Sequence, residues 1–321
     1  MAAPALPRLR LNGKTVMPDN TLNNVPGMKN AAPVPVYRVE DLSQNRFIES
    51  HVFTSQPCVI RGAIRHWPAM ENWRDPDYLK RRAGHHSIYY YSTEYHITAP
   101  RMEAVQLEIG FAEAIERMHD PKTKLAIVAT ALPVELKQDL GGLSFLSQAP
   151  PPFTYPAARF FFYRNAGTTW HYHPFDETLM CQVIGAKKIG LLPAVNSCAK
   201  AVHDIFLRED YYDDASAFHA LGGAQLPWML ATLEPGDGLY IPPLWWHGIC
   251  PVGEGFGATA AVTWRSPIEV EAATIRKMAS GMVHMQGVLE EDWLGALKDV
   301  ARQTGLEEEL KIGWMRQYGP A

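Results

Sequence analysis

Residues 168–177 read Thr-Thr-Trp-His-Tyr-His-Pro-Phe-Asp-Glu, and residues 241–247 read Ile-Pro-Pro-Leu-Trp-Trp-His. His171 and His173 stand two apart in a strand-like run, Thr168 to His173. Side chains alternate along a strand with a period of two, so the spacing predicts both imidazoles on one face. Where that face lines a barrel, they converge on one point. Asp176 and Glu177 follow at once. His247 ends an apolar, turn-rich run and reads as a buried residue at a strand end. Neutral imidazole plus carboxylate suits divalent iron, manganese, nickel or zinc. Two histidines and a carboxylate on one side of a metal leave three positions open, which serves O2 activation by non-haem Fe(II) with room for a co-substrate. The competing reading is two unrelated buried histidines beside a loop. Ordinary structural roles are expected for His66, His85, His86, His119, His203, His219 and His284.

Outward from this core, short β-type runs alternate with Gly and Pro turns at 158–163, 168–173, 178–184, 187–192, 228–232, 238–241 and 257–264. Such spacing favours an all-β sandwich or barrel. The preceding part is mixed. Residues 35–39 and 57–62 read as short strands, with a helix through Phe47 and Ile48 that Asp41 could cap. A short helix is expected around Asp77-Tyr78-Leu79, closed by Gly84. Residues 103–119 read as a helix, because Phe111, Ala114, Ile115 and Met118 recur at spacings of three and four. Residues 125–128 suggest a buried strand and residues 134–140 a short helix. After Ser266-Pro267 the pattern turns helical, with an apolar stripe of Trp293, Leu294, Leu297, Val300 and Ala301. The expected division is a flexible arm over 1–33, a barrel domain with N-terminal additions over 34–265, and a helical segment over 266–321.

Composition narrows the setting. A hydrophobic share of 47% and a charged share of 20% fit an ordinary soluble globular chain. A net charge of −4 gives no global pull toward nucleic acid or an anionic membrane, so neither is an expected partner. Lys80, Arg81 and Arg82 read as a solvated helix end. Cys58, Cys181, Cys198 and Cys250 form no CxxC pair, which points to a reducing, cytoplasmic setting, and three of them lie in apolar runs. Pro4 and Pro7 interrupt the N-terminus, so no secretory signal is expected, and no run of 18 apolar residues suggests a membrane helix.

A wider set of motifs then falls into order. It runs from Pro57-Cys58-Val59-Ile60-Arg61-Gly62, Trp67-Pro68-Ala69, Trp73 and Asp77-Tyr78-Leu79 through Thr168-Thr169-Trp170-His171. It continues with Gln182-Val183-Ile184-Gly185-Ala186-Lys187, Leu191-Leu192-Pro193, Pro235-Gly236-Asp237 and Pro242 to His247. Over about residues 34–265 the chain resembles the JmjC-type, cupin-like Fe(II)- and 2-oxoglutarate-dependent hydroxylases, the group that includes the asparaginyl hydroxylase factor inhibiting HIF. The resemblance implies a mainly β fold, a double-stranded β-helix (cupin or jelly-roll) barrel with N-terminal α/β elements and C-terminal helices. It implies metal ligands at His171 and His247, and 2-oxoglutarate contacts from Lys187 and from Thr168, three residues before the first histidine. A carboxylate co-substrate needs such a cation and hydroxyl in a deep pocket. Relatives dimerise through terminal helices, so a homodimer is also expected.

One departure stands out: the family reads His-x-Asp or His-x-Glu, whereas this chain reads His171-Tyr172-His173. His173 itself, Asp176 or Glu177 is then the third ligand, or His173 and Asp176 help to hold a second metal. The leading expectation is an Fe(II)/2-oxoglutarate dioxygenase that hydroxylates a peptide side chain or a small molecule, with no catalytic residues beyond the ligands. The first alternative is a three-His or three-His-one-Glu cupin dioxygenase or isomerase that does not use 2-oxoglutarate. A non-catalytic barrel scaffold is the other.

Overall fold

Alternation along each strand settles which side chains turn inward, and the pairing of strands collects those side chains into one interior. The computed structural model describes residues 22–265 except 23–24, 53, 93–105, 124, 147–157, 165, 174–175, 195–197, 208–217, 220, 222–224 and 254. The helical segment expected over 266–321 lies outside the described residues. The strands are β1 (Ala32–Pro33), β2 (Val36–Arg38), β3 (Cys58–Arg61), β4 (Ser87–Ser92), β5 (Gln106–Gly110), β6 (Leu125–Ala131) and β7 (Ala158–Arg164), followed by β8 (Thr168–His171), β9 (Asp176–Ile184), β10 (Ala186–Pro193), β11 (Met229–Leu233), β12 (Gly238–Ile241), β13 (Trp245–Val252) and β14 (Phe256–Arg265).

They form two sheets. The smaller has the order β1-β11-β10-β13-β8, and the larger β2-β3-β12-β9-β14-β7-β6-β4-β5. From β8 to β14 the chain passes back and forth between them, which is the winding of a double-stranded β-helix. The fold is therefore mainly β and of the cupin type. Both sheets feed one inner cluster: Ile189, Leu191, Ala231 and Ile249 from the smaller, Val59, Met180, Leu239 and Ile241 from the larger.

The outer faces are covered separately. On the larger sheet, Cys58, Ile60, Phe160, Phe162, Leu179, Cys181 and Tyr240 pack under the N-terminal additions. Those additions include α1 (Gln44–Phe47), α2 (Ala69–Asn72), α3 (Pro76–Ala83), α4 (Phe111–His119) and α5 (Val134–Lys137). On the smaller sheet, Trp170, Leu192, Trp246 and Cys250 pack against Val202, Ile205 and Phe206 of α6 (Ala199–Leu207). Trp170 lies so close over β13 that a Cβ at Gly248 would come within 2.7 Å of its ring. Only a residue without a side chain fits there.

Several local expectations need correction. Residues 103–119 are not one helix: Gln106–Gly110 pairs with β4, and α4 starts at Phe111, with the predicted stripe Phe111, Ala114, Ile115 and Met118 fully buried. The apolar stripe was a true signal, but helix extension upstream yielded to pairing with β4. Ser43 rather than Asp41 caps α1, accepting the Arg46 N–H at 3.3 Å. Part of the segment expected as a flexible arm is docked. Leu22, Val25 and Met28 are buried beside Trp170, and Ala32–Pro33 pairs in parallel with β11. No described helix is long and apolar enough to cross a membrane.

Two buried aspartates brace this frame. Asp237, in the turn between β11 and β12, accepts the Gly62 N–H at 3.2 Å and the Glu234 N–H at 3.0 Å and pairs with Arg61. Asp139 receives the Trp73 indole N–H at 2.9 Å, the Asn72 amide at 2.9 Å and the Tyr78 hydroxyl at 2.8 Å. Removing such an acceptor strands buried donors at about 1–3 kcal/mol each. Asp139→Ala is therefore expected to lower the unfolding free energy by about 3 kcal/mol in urea titrations, and Asp139→Asn by less.

Candidate metal centre

The antiparallel pairing of β8 with β13 places His171 directly opposite His247. Cross-strand partners share a face. On β13 the residues Trp245 and Ile249 flank His247 at spacings of two and belong to the inner cluster, so this face is the barrel interior. Between the pairs His171–His247 and Thr168–Ile249 the register shifts, with three steps on β8 against two on β13. That extra residue is a β-bulge, and it returns Thr168 to the inner face although three positions separate it from His171. Trp170 consequently turns outward.

His173 reaches the same point by another route. β8 ends at His171, so the predicted strand over 168–173 is two residues too long. Pro174 has no N–H with which to continue a ladder. The His173 carbonyl instead accepts the Leu244 N–H at 2.8 Å, which ties His173 to the turn preceding β13. Leu244 holds a left-handed backbone, φ 58°, uncommon for a residue with a branched side chain and characteristic of functional sites. The three rings stand 4.1 Å (His171–His247), 5.1 Å (His173–His247) and 5.3 Å (His171–His173) apart, centroid to centroid. One ligand nitrogen from each lies within 4.8 Å of the others.

The protonation states suit a metal. His247 Nδ1 donates to the Trp245 carbonyl at 2.9 Å, which leaves Nε2 with the lone pair. His173 Nδ1 bonds the Thr178 hydroxyl at 3.0 Å. Burial, with the neighbouring imidazoles, holds the pKa of His247 well below the usual histidine value. For His173 the causes are burial, then His171, then Arg159, which the alternation of β7 places on the inner face. Neutral imidazoles are the form a divalent ion requires.

The carboxylate candidates separate. Glu177 lies on the opposite face of β9, buried, where its Oε2 accepts the Tyr240 hydroxyl at 2.6 Å. Tyr240 belongs to the outer cluster, so Glu177 is not a ligand, and the three-His-one-Glu arrangement falls with it. A one-residue step along a strand reverses the face, and the sequence spacing alone did not fix that parity. Asp176 opens β9 opposite Arg265, and its side chain lies outside the described residues. Among the described side chains the centre is three histidines.

Deeper in the barrel, Lys187 turns inward from β10. It is 4% exposed, and its Nζ donates to Thr259 Oγ1 at 2.6 Å and sits 4.3 Å from the centre of the Tyr163 ring. Thr259 in turn donates to Gln182 Oε1 at 2.8 Å, and the Gln182 amide reaches the Tyr163 hydroxyl at 3.0 Å. The Tyr163 ring lies flat on Gly257, where any side chain would collide with it. Among the described residues no carboxylate pairs with Lys187. Burial alone lowers its pKa to about 7. A buried ammonium that meets only a hydroxyl and an aromatic face is poised for an anion. Lys187 and Leu191, the partner of His247 across β10 and β13, are four residues apart, about 13 Å along the strand. Tyr163, Gln182, Thr259 and Arg159 were not among the site residues expected from sequence. Their only signal was inward parity on strands whose pairing was unknown.

Residues 44–267 match the family described as a cupin-like domain. Among characterised proteins, the chain is 26% identical to Jumonji C domain-containing protein 5 of Drosophila melanogaster over 210 residues, 60% of this chain and 51% of that protein. It is 25% identical to lysine-specific demethylase JMJ30 of Arabidopsis thaliana over 240 residues, 64% of this chain and 49% of that protein. A shorter stretch of 34 residues is 53% identical to lysine-specific demethylase JMJ32 of the same plant, covering 11% of this chain and 10% of that protein. The chain thus spans about half the length of the first two relatives.

Replacing either paired histidine should empty the centre. In elemental analysis of metal-loaded protein, His171→Ala and His247→Ala are each expected to carry about one transition-metal ion per chain fewer than the unaltered protein. Glu177→Gln should retain the metal, because its carboxylate faces Tyr240 on the far side of β9.

Proposed function

Because the chain belongs to the cupin-like domain family and its relatives are JmjC proteins, we propose that it is a non-haem Fe(II)- and 2-oxoglutarate-dependent oxygenase. The observation that carries this reading is the pairing, within one barrel interior, of a convergent histidine cluster with a buried lysine that lacks a carboxylate partner among the described residues. The cluster offers imidazole nitrogens, those of His173 and His247 held in the neutral form by burial, a donor set that fits Fe(II). His171 and His247 hold the ion in this proposal, with His173 or Asp176 as the third ligand. Bound iron supplies O2 activation coupled to oxidation of 2-oxoglutarate to succinate and CO2.

The protein's own part is binding, orientation and exclusion of water. Lys187 receives the distal carboxylate, with Thr259 holding its ammonium and Thr168 offering a hydroxyl from the bulged strand. Ile189, Leu191 and Ile249 wall the space between and keep it dry. A low local dielectric strengthens the ammonium–carboxylate pair. For the substrate we propose a peptide side chain or a small molecule, hydroxylated at a carbon held beside the metal. The two plant relatives are lysine-specific demethylases, which makes a lysine-bearing peptide a first candidate. A cytoplasmic location and a homodimer belong to the same proposal.

One observation favours a second reading. The described cluster contains three imidazoles and no carboxylate. Such a centre also suits a three-His cupin enzyme that binds its substrate on the metal without 2-oxoglutarate. Calorimetric titration of metal-loaded protein separates the two, since the second reading requires that 2-oxoglutarate not bind.

Iron-loaded protein is expected to convert 2-oxoglutarate to succinate when presented with a peptide or small-molecule substrate library. Failure to form succinate in a fully metal-loaded preparation would sink the oxygenase reading. Lys187→Ala should raise the KM for 2-oxoglutarate roughly 10- to 100-fold, the worth of one charge-assisted hydrogen bond.

The lowered Lys187 pKa adds a pH signature. The free protein releases this proton near pH 7, whereas an unfolded lysine keeps it to about 10.4. Between those values the unfolded chain binds more protons, so the stability cost of burying Lys187 is full below pH 7 and fades as pH rises. Binding of the dianion selects the ammonium. Above pH 7, 2-oxoglutarate binding should take up about one proton and weaken as pH increases. Calorimetry at pH 8 in buffers of different ionisation heat measures that uptake.

A further inference from the structure

Far from the barrel interior, a second group of ligand-type side chains comes together where α3, β4 and α5 meet. His86 Nε2 lies 2.8 Å from Glu135 Oε2, and His85 Nε2 lies 3.4 Å from Glu135 Oε1. The two rings are 4.2 Å apart with only 36° between their planes. Consecutive residues in an extended chain point to opposite sides, so a shared direction requires a turn. The turn is built in. Gly84 closes α3 by donating to the Lys80 carbonyl at 2.9 Å, and the His86 N–H donates to the Ala83 carbonyl at 3.0 Å. The His86 carbonyl then accepts the Phe111 N–H at 2.8 Å. On the other side, Arg82 donates to the backbone carbonyl of Glu135 at 3.1 Å, which fixes the start of α5 without engaging its carboxylate.

We propose that His85, His86 and Glu135 form a second divalent-metal site, suited to zinc, on the outer surface of the N-terminal additions. The three ligand atoms already lie within 4.8 Å of one another. Around a tetrahedral ion with bonds of about 2.0–2.1 Å, ligand atoms stand roughly 3.3 Å apart. The two nitrogen–oxygen separations, one to each oxygen of Glu135, bracket that distance. Two imidazoles, one carboxylate and a water complete four-coordination. His85 is the most open of the three, with 64% of its side chain exposed, against 34% for His86 and 29% for Glu135. The ion would exchange with solvent and clip α5 to the α3–β4 turn. It would have no part in the chemistry of the barrel.

Stoichiometric titration tests this site independently of the oxygenase reading. Chelator-stripped full-length protein, Glu135→Gln and the double variant His85→Ala/His86→Ala are each titrated with zinc chloride, with circular dichroism confirming the fold. The unaltered protein should bind one more equivalent than either variant, whatever the barrel centre binds, since that contribution is common to all three. It should also gain several degrees in Tm on zinc addition beyond the gain seen in the variants. Equal stoichiometry in all three proteins overturns the proposal. Either variant can stand alone if the other fails to fold.

Discussion

The register between β8 and β13 is the constraint on which the site depends. It sets His171 opposite His247, and a slip of one residue in β8 would send the His171 imidazole to the outer face while the pairing with β10 keeps His247 inside. Several features hold the register. The bulge in β8 fixes where pairing resumes at Thr168. Trp170, seated over Gly248 and stacked on Phe206 at 4.6 Å, anchors the outer face of the same strand. The left-handed Leu244 turns the chain sharply into β13 while its N–H holds the His173 carbonyl. Strain at one residue and a missing side chain at another are tolerated because the packing around them leaves no alternative.

The barrel interior divides its work by chemistry. The apolar cluster of Val59, Ile189, Leu191, Leu239, Ile241 and Ile249 supplies cohesion. Two polar groups are set into it at different depths. Burial holds His173 and His247 in the neutral form, and each has a hydrogen-bond partner for its Nδ1. Lys187 is different, because an ammonium in such surroundings is costly and sheds its proton easily. The protein offsets that cost only in part, through Thr259 and the face of Tyr163. A group left this far from balance is understandable where a ligand completes it. With His173 rather than Asp176 as third ligand, the proposed metal site would be one unit more positive. Such a charge would alter the ion's preferred ligands and, for iron, its potential.

Much of the fold was readable from the chain. The strand runs from Ala158 onward are observed within one or two residues of expectation, because Gly and Pro punctuation separated them cleanly. β13 was the exception. Trp245-Trp246-His247 looked like the end of an apolar run, yet it begins an eight-residue strand, since Gly248 and Pro251 masked the continuation. The short strand β5 was absorbed into a helix because Leu107 and Ile109 fit either period in so brief a run. His171, His173 and His247 were found because imidazoles at strand spacing are rare enough to stand out. Arg159, Tyr163 and Thr259 were not, since an arginine, a tyrosine or a threonine in a strand carries no mark of which face is inner.

By itself the sequence determined a β fold and the histidine spacing, which rest on residue identity and local periodicity, and its resemblance to a family gave the barrel type and the departure from His-x-Asp. The tertiary structure decided what depends on pairing. It put Glu177 on the far side of its strand and returned Thr168 to the inner face through a bulge. It gave Lys187 a hydroxyl and a ring as neighbours, and it folded His85, His86 and Glu135 into one cluster from elements 49 residues apart in the chain. Periodicity says which residues share a face. Only the register between strands says which face is the interior and what lies across it.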